Sequence, residues 1–167
     1  MYNQSMAKLI EFLINDPFKL FLIGASSKFK KVLEQNPHLL LKRNRAGESL
    51  LHKTAAYGDL ETTSWLIEKG IPVDIKTNPG NATPLMLAVA FNKKEVVRFL
   101  LEKNADNNVQ DQDGVSILHY AASRNLPEMV KILLSRNSKT DLKDKAGRTA
   151  LDIAKEFGNN EVVVLLN

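Results

Sequence analysis

The chain has 167 residues, of which 44% are hydrophobic and 25% are charged, a composition typical of one soluble globular domain. It contains no cysteine, which excludes disulfide bonds and thiolate metal sites. The formal net charge is +4 and is unevenly distributed, because residues 1–55 alone carry nine Lys and Arg against four Asp and Glu.

Residues 9–23 are rich in Leu, Ile and Phe but are interrupted by Glu11, Asp16, Pro17 and Lys19. These interruptions exclude a membrane span, and the short apolar run does not fit a signal peptide. We therefore expect a cytosolic protein. Lys is far more frequent than Arg, and Asn is common, a bias typical of AT-rich genomes such as those of some viruses, intracellular bacteria and protists.

The N-terminal part is expected to be helical. Apolar spacing predicts a helix over residues 5–15 that could cover the end of a repeat stack. Residues 16–43 follow as a degenerate repeat, in which a short apolar helix precedes a second helix containing Phe29 and Leu33. Asn36-Pro37 is predicted to end that second helix.

Four later segments share one pattern at a period of 33 or 34 residues. Each has a turn glycine, a short helix with a Ser or Thr at its start, and a second apolar helix. The helix starts are Ser49-Leu50-Leu51-His52, Thr83-Pro84-Leu85-Met86, Ser116-Ile117-Leu118-His119 and Thr149-Ala150-Leu151-Asp152. A unit of this size is too small to enclose a core, so we predict a stack of units over residues 44–76, 77–110, 111–143 and 144–167.

The third of these units carries a recognisable pattern, D-x-x-G-x-T-P-L-H-x-A-A-x-x-G-x-x-E-V-V-x-L-L-L. It is met by Asp111, Gly114, Ser116, Leu118, His119, Ala121, Ala122, Glu128, Val130, Leu133 and Leu134. The chain resembles the ankyrin repeat family, closely over residues 44–167 and loosely over 16–43. The resemblance implies an all-α solenoid of helix-turn-helix units joined by β-hairpin-like fingers, with about five repeats, used for binding proteins.

Several positions are predicted to serve this scaffold. Asn92 and Asn125 replace the glycine that separates the two helices, because Asn enters the left-handed conformation more readily than other residues with a Cβ. His52 and His119 are expected to bond turn backbone and not to perform chemistry. The side chains Asn108, Asp74 and Asp141 are expected to bond finger backbone.

Two hydrophobic features carry further expectations. Trp65 is predicted to pack between helices. The last unit leaves Val163, Leu165 and Leu166 without a following repeat, so either the natural chain continues or this unit is itself a cap.

The informative positions are those that the scaffold does not dictate. One register on the first helices reads Tyr57, Phe91, Arg124 and Phe157, and it is expected to face a concave groove together with Tyr120. Tyr and Arg are enriched at interface hot spots. The alternative is that the aromatic rings pack against neighbouring units and fill the groove wall. Charged finger residues would form a polar rim: Arg43, Arg45, Asp113, Lys145 and Arg148.

No zinc spacing, nucleophile with a paired base or phosphate loop is present, so we expect no enzyme activity, no cofactor and no small-molecule substrate. We predict a monomeric protein-interaction module that acts as adaptor, scaffold or competitive inhibitor. The family that the chain resembles has viral and bacterial members that engage host factors. If this chain is one of them, we expect it in the host cytosol or nucleus.

Two alternatives remain. The basic N-terminal third could bind nucleic acid or an anionic surface through Lys28, Lys30, Lys31, Lys42, Arg43 and Arg45, although Phe29, the aromatic residue in this run, is expected to be core. The chain could also be the recognition part of a larger protein that continues past residue 167.

Overall fold

The computed structural model describes Phe18 and residues 26–167. The predicted N-terminal helix at residues 5–15 and most of the first half of the degenerate repeat lie outside the described residues. Within residues 26–167 the backbone forms no named strand, only an isolated antiparallel bridge between Gln110 and Ser116.

The described chain is a succession of short helices. Helix α1 (Ser26–Gln35) is followed by a 3-10 helix (Pro37–Leu41), and four helix pairs come after it. The pairs are α2 (Leu50–Tyr57) with α3 (Leu60–Glu68), α4 (Pro84–Ala90) with α5 (Lys94–Glu102), α6 (Ile117–Ser123) with α7 (Pro127–Leu134), and α8 (Ala150–Glu156) with α9 (Asn160–Leu166).

The first helices of the pairs form one layer. Helix α4 packs between α2 and α6, and α6 in turn packs against α8. The second helices form the outer layer, in which α3 contacts α5 and α7 contacts α9. This two-layer arrangement confirms the predicted all-α repeat solenoid.

Small side chains allow the first helices to approach each other. Ala88, Ala121 and Ala154 are fully buried at their centres, surrounded by larger residues such as Leu85 and Leu118. One core cluster runs from Ala55 to Leu166, and a second one at the N-terminal end includes Phe18, Phe29, Leu33, Leu50 and Leu66. Each fully buried Leu stabilises the fold by about 1.5–3 kcal/mol, and these residues contact neighbouring units as well as their own.

The predicted helix starts are confirmed. Ser49 and Ser116 form capping boxes with His52 and His119, and Thr149 forms one with Asp152. The hydroxyl oxygen of Thr83 accepts a hydrogen bond from the Met86 backbone N–H. These bonds satisfy backbone N–H groups that would otherwise lack a partner at the start of each helix.

The turns between paired helices also follow the prediction. Asn92 and Asn125 have φ values of 55° and 51°, in the left-handed region. Gly58 and Gly158 occupy the same place in the other two pairs, with φ values of 82° and 68°. This conformation ends the first helix and reverses the chain into the second one.

The fingers are held by repeated side-chain bonds. The Oδ1 atom of Asn44 accepts from the N–H groups of Ala46 and Glu48, and Asp111 and Asp144 do the same two and four residues ahead. Neighbouring fingers are joined through the backbone by the bonds Asn78 N to Gly47 O, Gln112 N to Gly80 O and Lys145 N to Asp113 O, which are 3.3, 2.9 and 2.9 Å long.

Further bonds join the loops that follow the second helices. Asn108 Oδ1 accepts from the Lys139 N–H, and the Asp74 carboxylate accepts from the Asp106 N–H. Asn108 and Asp74 thus bond backbone, but in the loop that follows the next second helix, whereas the sequence predicts bonds to a finger. At the end of the stack, Leu166 is buried and Val163 and Leu165 pack against the core, whereas Val164 is 75% exposed.

The close approach of the first two fingers gives a test of the fold. Gly47 and Gly147 have φ values of 72° and 79°, but a Cβ at Gly47 would overlap the Asn78 carbonyl, whereas one at Gly147 meets nothing within 4 Å. Left-handed strain should cost both Ala variants about 1 kcal/mol of unfolding free energy. The overlap should add roughly 2 kcal/mol for Gly47→Ala alone. Urea unfolding of both variants measures the difference, and equal losses would contradict the described finger packing.

Candidate protein-binding face

Three aromatic side chains project from the ends of the first helices. Tyr57, Phe91 and Phe157 are 57%, 55% and 60% exposed. Each directly precedes the left-handed residue, Gly58, Asn92 or Gly158, at the turn between the two helices of its pair. Each ring is partly packed against the scaffold and leaves more than half of its surface exposed.

A cleft lies between the first two of these aromatics. It has a volume of about 360 Å³ and is lined by Glu48, Lys53, Ala56, Tyr57, Phe91 and Lys93. The Arg124 guanidinium lies over the Phe91 ring, with 5.9 Å between its central carbon and the ring centroid. Of the predicted register, Tyr57 and Phe91 therefore line this cleft and Arg124 lies next to Phe91, whereas Phe157 is not among the lining residues.

The cleft wall contains one internal ion pair. Lys53 Nζ is 2.7 Å from Glu48 Oε2. Burial raises the pKa of the Glu48 carboxyl, but the hydrogen bonds from Lys53 and Asn44 outweigh it and hold that pKa below its usual value. Glu48 therefore remains ionised at neutral pH and neutralises Lys53.

Tyr120 corrects an expectation. The sequence places it among the residues free of structural duty, yet its hydroxyl donates a 2.8 Å hydrogen bond to Asp111 Oδ2. Burial, followed by this bond to Asp111, raises the pKa of the Tyr120 phenol. Tyr120 thus ties helix α6 to the finger before it, and only its ring surface is available to a partner.

Arg43 and Gln110 hold neighbouring fingers together. Arg43 Nη1 donates to the carbonyls of Gly47 and Lys76, at 2.7 and 2.6 Å. Gln110 makes the matching bonds two units later, to Gly114 and Lys143. Arg43 directly precedes Asn44, and Gln110 directly precedes Asp111, the residues that bond the backbone of their fingers. This shared position is the sequence signal that could have revealed these bonds between fingers.

The last finger is held by Arg148. Its guanidinium donates two bonds to Asp144 Oδ2, at 3.0 and 2.9 Å, and one to Glu156 Oε2 at 3.0 Å. The backbone N–H and the guanidinium of Arg148 hold the pKa of Asp144 below its usual value. Lys145 lies 3.5 Å from Asp113 of the preceding finger, and Arg45 is exposed at the first finger tip.

The basic N-terminal run is partly committed to the protein itself. Lys30 pairs with Glu61 at 2.6 Å and lies 5.9 Å from the centroid of the Trp65 ring. Phe29 is only 1% exposed, which confirms it as core and removes it as a stacking platform for a base. Trp65 packs against the N-terminal core cluster, as expected, with part of its surface exposed on the outer layer.

The histidines considered for chemistry are structural. His52 Nδ1 accepts from the Ser49 N–H at 3.1 Å, and its Nε2 lies 3.0 Å from the Ala82 carbonyl. His119 repeats both contacts with Ser116 and Arg148. Each ring therefore joins its own helix start to the next finger, and the prediction of backbone bonding is confirmed.

Within Phe18 and residues 26–167, no group of three or more His, Cys, Asp or Glu side chains could hold a metal ion. No helix in the same part is long and apolar enough to cross a membrane.

The fold defines a helical repeat protein, in which each short unit contacts its neighbours. The sequence matches the family profile "Ankyrin repeats (3 copies)" over residues 6–111 and 103–167, and the chain belongs to the ankyrin repeat family. Ankyrin repeats mediate protein–protein interactions.

Individual relatives share part of the chain. Mouse NF-kappa-B inhibitor delta is 34% identical over 95 residues, which cover 55% of this chain and 29% of that protein. Phosphocholine transferase AnkX of Legionella pneumophila is 35% identical over 90 residues, 54% of this chain and 9% of that protein. The probable 26S proteasome regulatory subunit p28 of Saccharomyces cerevisiae is 30% identical over 101 residues, 58% of this chain and 44% of that protein. The matched region spans less than half the length of each of these relatives.

The geometry of His52 predicts a pH dependence of stability. Burial lowers the pKa of its imidazole. In the folded protein its Nδ1 accepts from the Ser49 N–H, which requires this nitrogen to be unprotonated. The unfolded chain takes up this proton near pH 6.5, before the folded chain does. The stabilisation is therefore complete above about pH 6.5 and is lost progressively as the pH falls below it.

We expect His52→Gln to lower the unfolding free energy by roughly 1–2 kcal/mol at neutral pH. The variant should also flatten the decline in stability between about pH 7 and pH 5. Denaturant titrations of the wild type and of the variant across this pH range measure the two unfolding free energies. A variant with the same slope as the wild type would show that His52 does not titrate as this geometry requires.

Proposed function

We propose that this chain binds a partner protein through the concave face formed by its first helices and fingers. The observation that supports this most strongly is the row of Tyr57, Phe91 and Phe157, each more than half exposed on one register of the scaffold. Large exposed apolar side chains grouped on one surface are characteristic of interaction sites. Together with the charged residues of the fingers, they would form the apolar centre and polar rim that are typical of a protein interface.

The scaffold is suited to this task because it is rigid where it presents these residues. Capping boxes fix the helix starts, and backbone bonds join neighbouring fingers into one row. A pre-organised surface loses little conformational entropy on binding, so more of the contact free energy remains as affinity.

The chain would act without catalysis, by occupying its partner. We propose a role as adaptor, scaffold or competitive inhibitor, carried out as a monomer in a reducing compartment, which suits a chain without cysteine. A host-directed role is supported by the Lys- and Asn-rich composition and by similarity to a Legionella protein. Because the relatives range from an NF-kappa-B inhibitor to a bacterial transferase, they support the mode of binding and not a shared partner.

The triple variant Tyr57→Ala, Phe91→Ala and Phe157→Ala tests this proposal. Truncating an interface hot spot costs about 2 kcal/mol or more of binding free energy, so the partner recovered by the wild type in affinity purification should be lost. The far-ultraviolet circular dichroism should be unchanged, because all three side chains are exposed.

A matched control removes exposed apolar surface from the outer layer. Leu60 and Val164 are 39% and 75% exposed on α3 and α9. The variant Leu60→Ala with Val164→Ala should recover the partner as well as the wild type does. Recovery by the triple variant, or loss in this control, would remove the concave face as the binding surface.

A further inference from the structure

We propose that the cleft between Tyr57 and Phe91 receives an acidic segment of the partner protein, in which an apolar side chain lies beside carboxylates. This inference rests on the proposed function and specifies the chemistry of the partner. It follows from the way positive charge is distributed around the cleft.

The cleft is lined by two lysines, Lys53 and Lys93, and Arg124 lies beside the Phe91 ring at its edge. Lys53 is paired with Glu48. Among the residues that the structure describes, no carboxylate lies within ion-pair distance of Lys93 or Arg124. The carboxylates of the third finger are already engaged, since Asp111 accepts from Tyr120 and Asp113 pairs with Lys145. The flank of Phe91 is therefore positive and open to an anionic partner.

Both cations are positioned by their own packing. A Cβ at Gly58 would meet Lys93 Cδ at 2.9 Å, so the Lys93 stem lies directly over the turn that follows Tyr57. Such packing of the stem keeps the ammonium group at the edge of the apolar surface. The Arg124 guanidinium lies 5.9 Å from the Phe91 ring centroid. A guanidinium at this distance is attracted to the aromatic ring, and its N–H groups can bind a carboxylate with two hydrogen bonds.

The apolar part of the cleft determines the rest of the ligand. Tyr57, Ala56 and Phe91 supply its apolar lining, and its volume of about 360 Å³ can accommodate a large side chain with its neighbouring backbone. An apolar anchor in this position would bring the adjacent residues of the segment against Lys93 and Arg124. Carboxylates at those positions would neutralise both cations.

The other end of the face lacks this combination. Phe157 follows Glu156, which is paired with Arg148. Lys93 and Arg124, the cations beside Phe91, have no counterparts beside Phe157 in the described part of the chain. We therefore assign the acidic segment to the half of the groove that contains Tyr57 and Phe91. This asymmetry provides a control within the same register.

The test is a selection of random peptides of about twelve residues displayed on phage, with the whole chain as the immobilised target. We expect the enriched peptides to carry an excess of Asp and Glu beside Leu, Phe or Trp. Affinities of the enriched peptides are then measured by fluorescence anisotropy at about 50 and about 300 mM salt. Binding should weaken as salt rises, because Arg124 is exposed and Lys93 is only partly buried, so salt screens both charges.

Two double variants locate the charge effect. Lys93→Gln with Arg124→Gln should lower the affinity about three- to tenfold and reduce the salt dependence. The control Arg136→Gln with Lys139→Gln removes the same two charges from an exposed loop beyond α7 and should leave the affinity unchanged. Phe91→Ala should abolish binding, whereas Phe157→Ala should not.

Peptides without an acidic excess, or peptides that bind the Lys93/Arg124 variant as tightly as the wild type, would overturn the inference. So would a selection that enriches no peptide. The proposed function is judged separately, by the loss of the native partner in the triple alanine variant. Loss of that partner without an acidic peptide preference would leave protein binding intact and remove only the acidic segment.

Discussion

The whole structure depends on one constraint: a helix pair of about 33 residues buries a stable core only by sharing it with its neighbours. The buried alanines at 88, 121 and 154 make this sharing possible, because they let consecutive first helices pack closely. Once the helices are stacked, the fingers that lead into them also lie side by side. Backbone bonds such as Lys145 N to Asp113 O then join finger to finger.

The first helices pack against each other along the stack. The residues at their C-terminal ends lie largely outside this packing and remain available for binding. The inner layer must turn at Gly58, Asn92, Asn125 and Gly158, and the residue before each turn cannot enter the core. At three of these places the chain carries an exposed aromatic ring, and at the fourth it carries an arginine over Phe91. The same stacking that stabilises the fold therefore produces a row of side chains that contribute little to it.

The fold could be predicted from the sequence because each local signal repeats. A Ser or Thr three residues before a His or Asp predicts a capping box, and four copies at one period indicate a stack. Asn92 and Asn125 were predictable for the same reason, since their place in the repeat requires a positive φ. The repetition turns a weak local preference into a strong one.

The candidate site was only partly predictable, because contacts between fingers depend on three-dimensional proximity. The register of Tyr57, Phe91, Arg124 and Phe157 follows from the period. The bond between Tyr120 and Asp111 and the bonds donated by Arg43 do not, since a charged or hydroxyl-bearing residue at a finger looks solvated in the sequence. The absence of a carboxylate partner for Lys93 and Arg124 likewise emerges only when the described part of the chain is seen folded.

Site-specific photo-crosslinking tests the concave face most directly. A benzophenone amino acid replaces Phe91 on the inner layer in one protein and Val164 on the outer layer in another, both of which are more than half exposed. Irradiation in the presence of the partner should give a covalent product with that partner from position 91 and none from position 164. A product from position 164 alone would show that the partner binds the outer helices and would contradict the account.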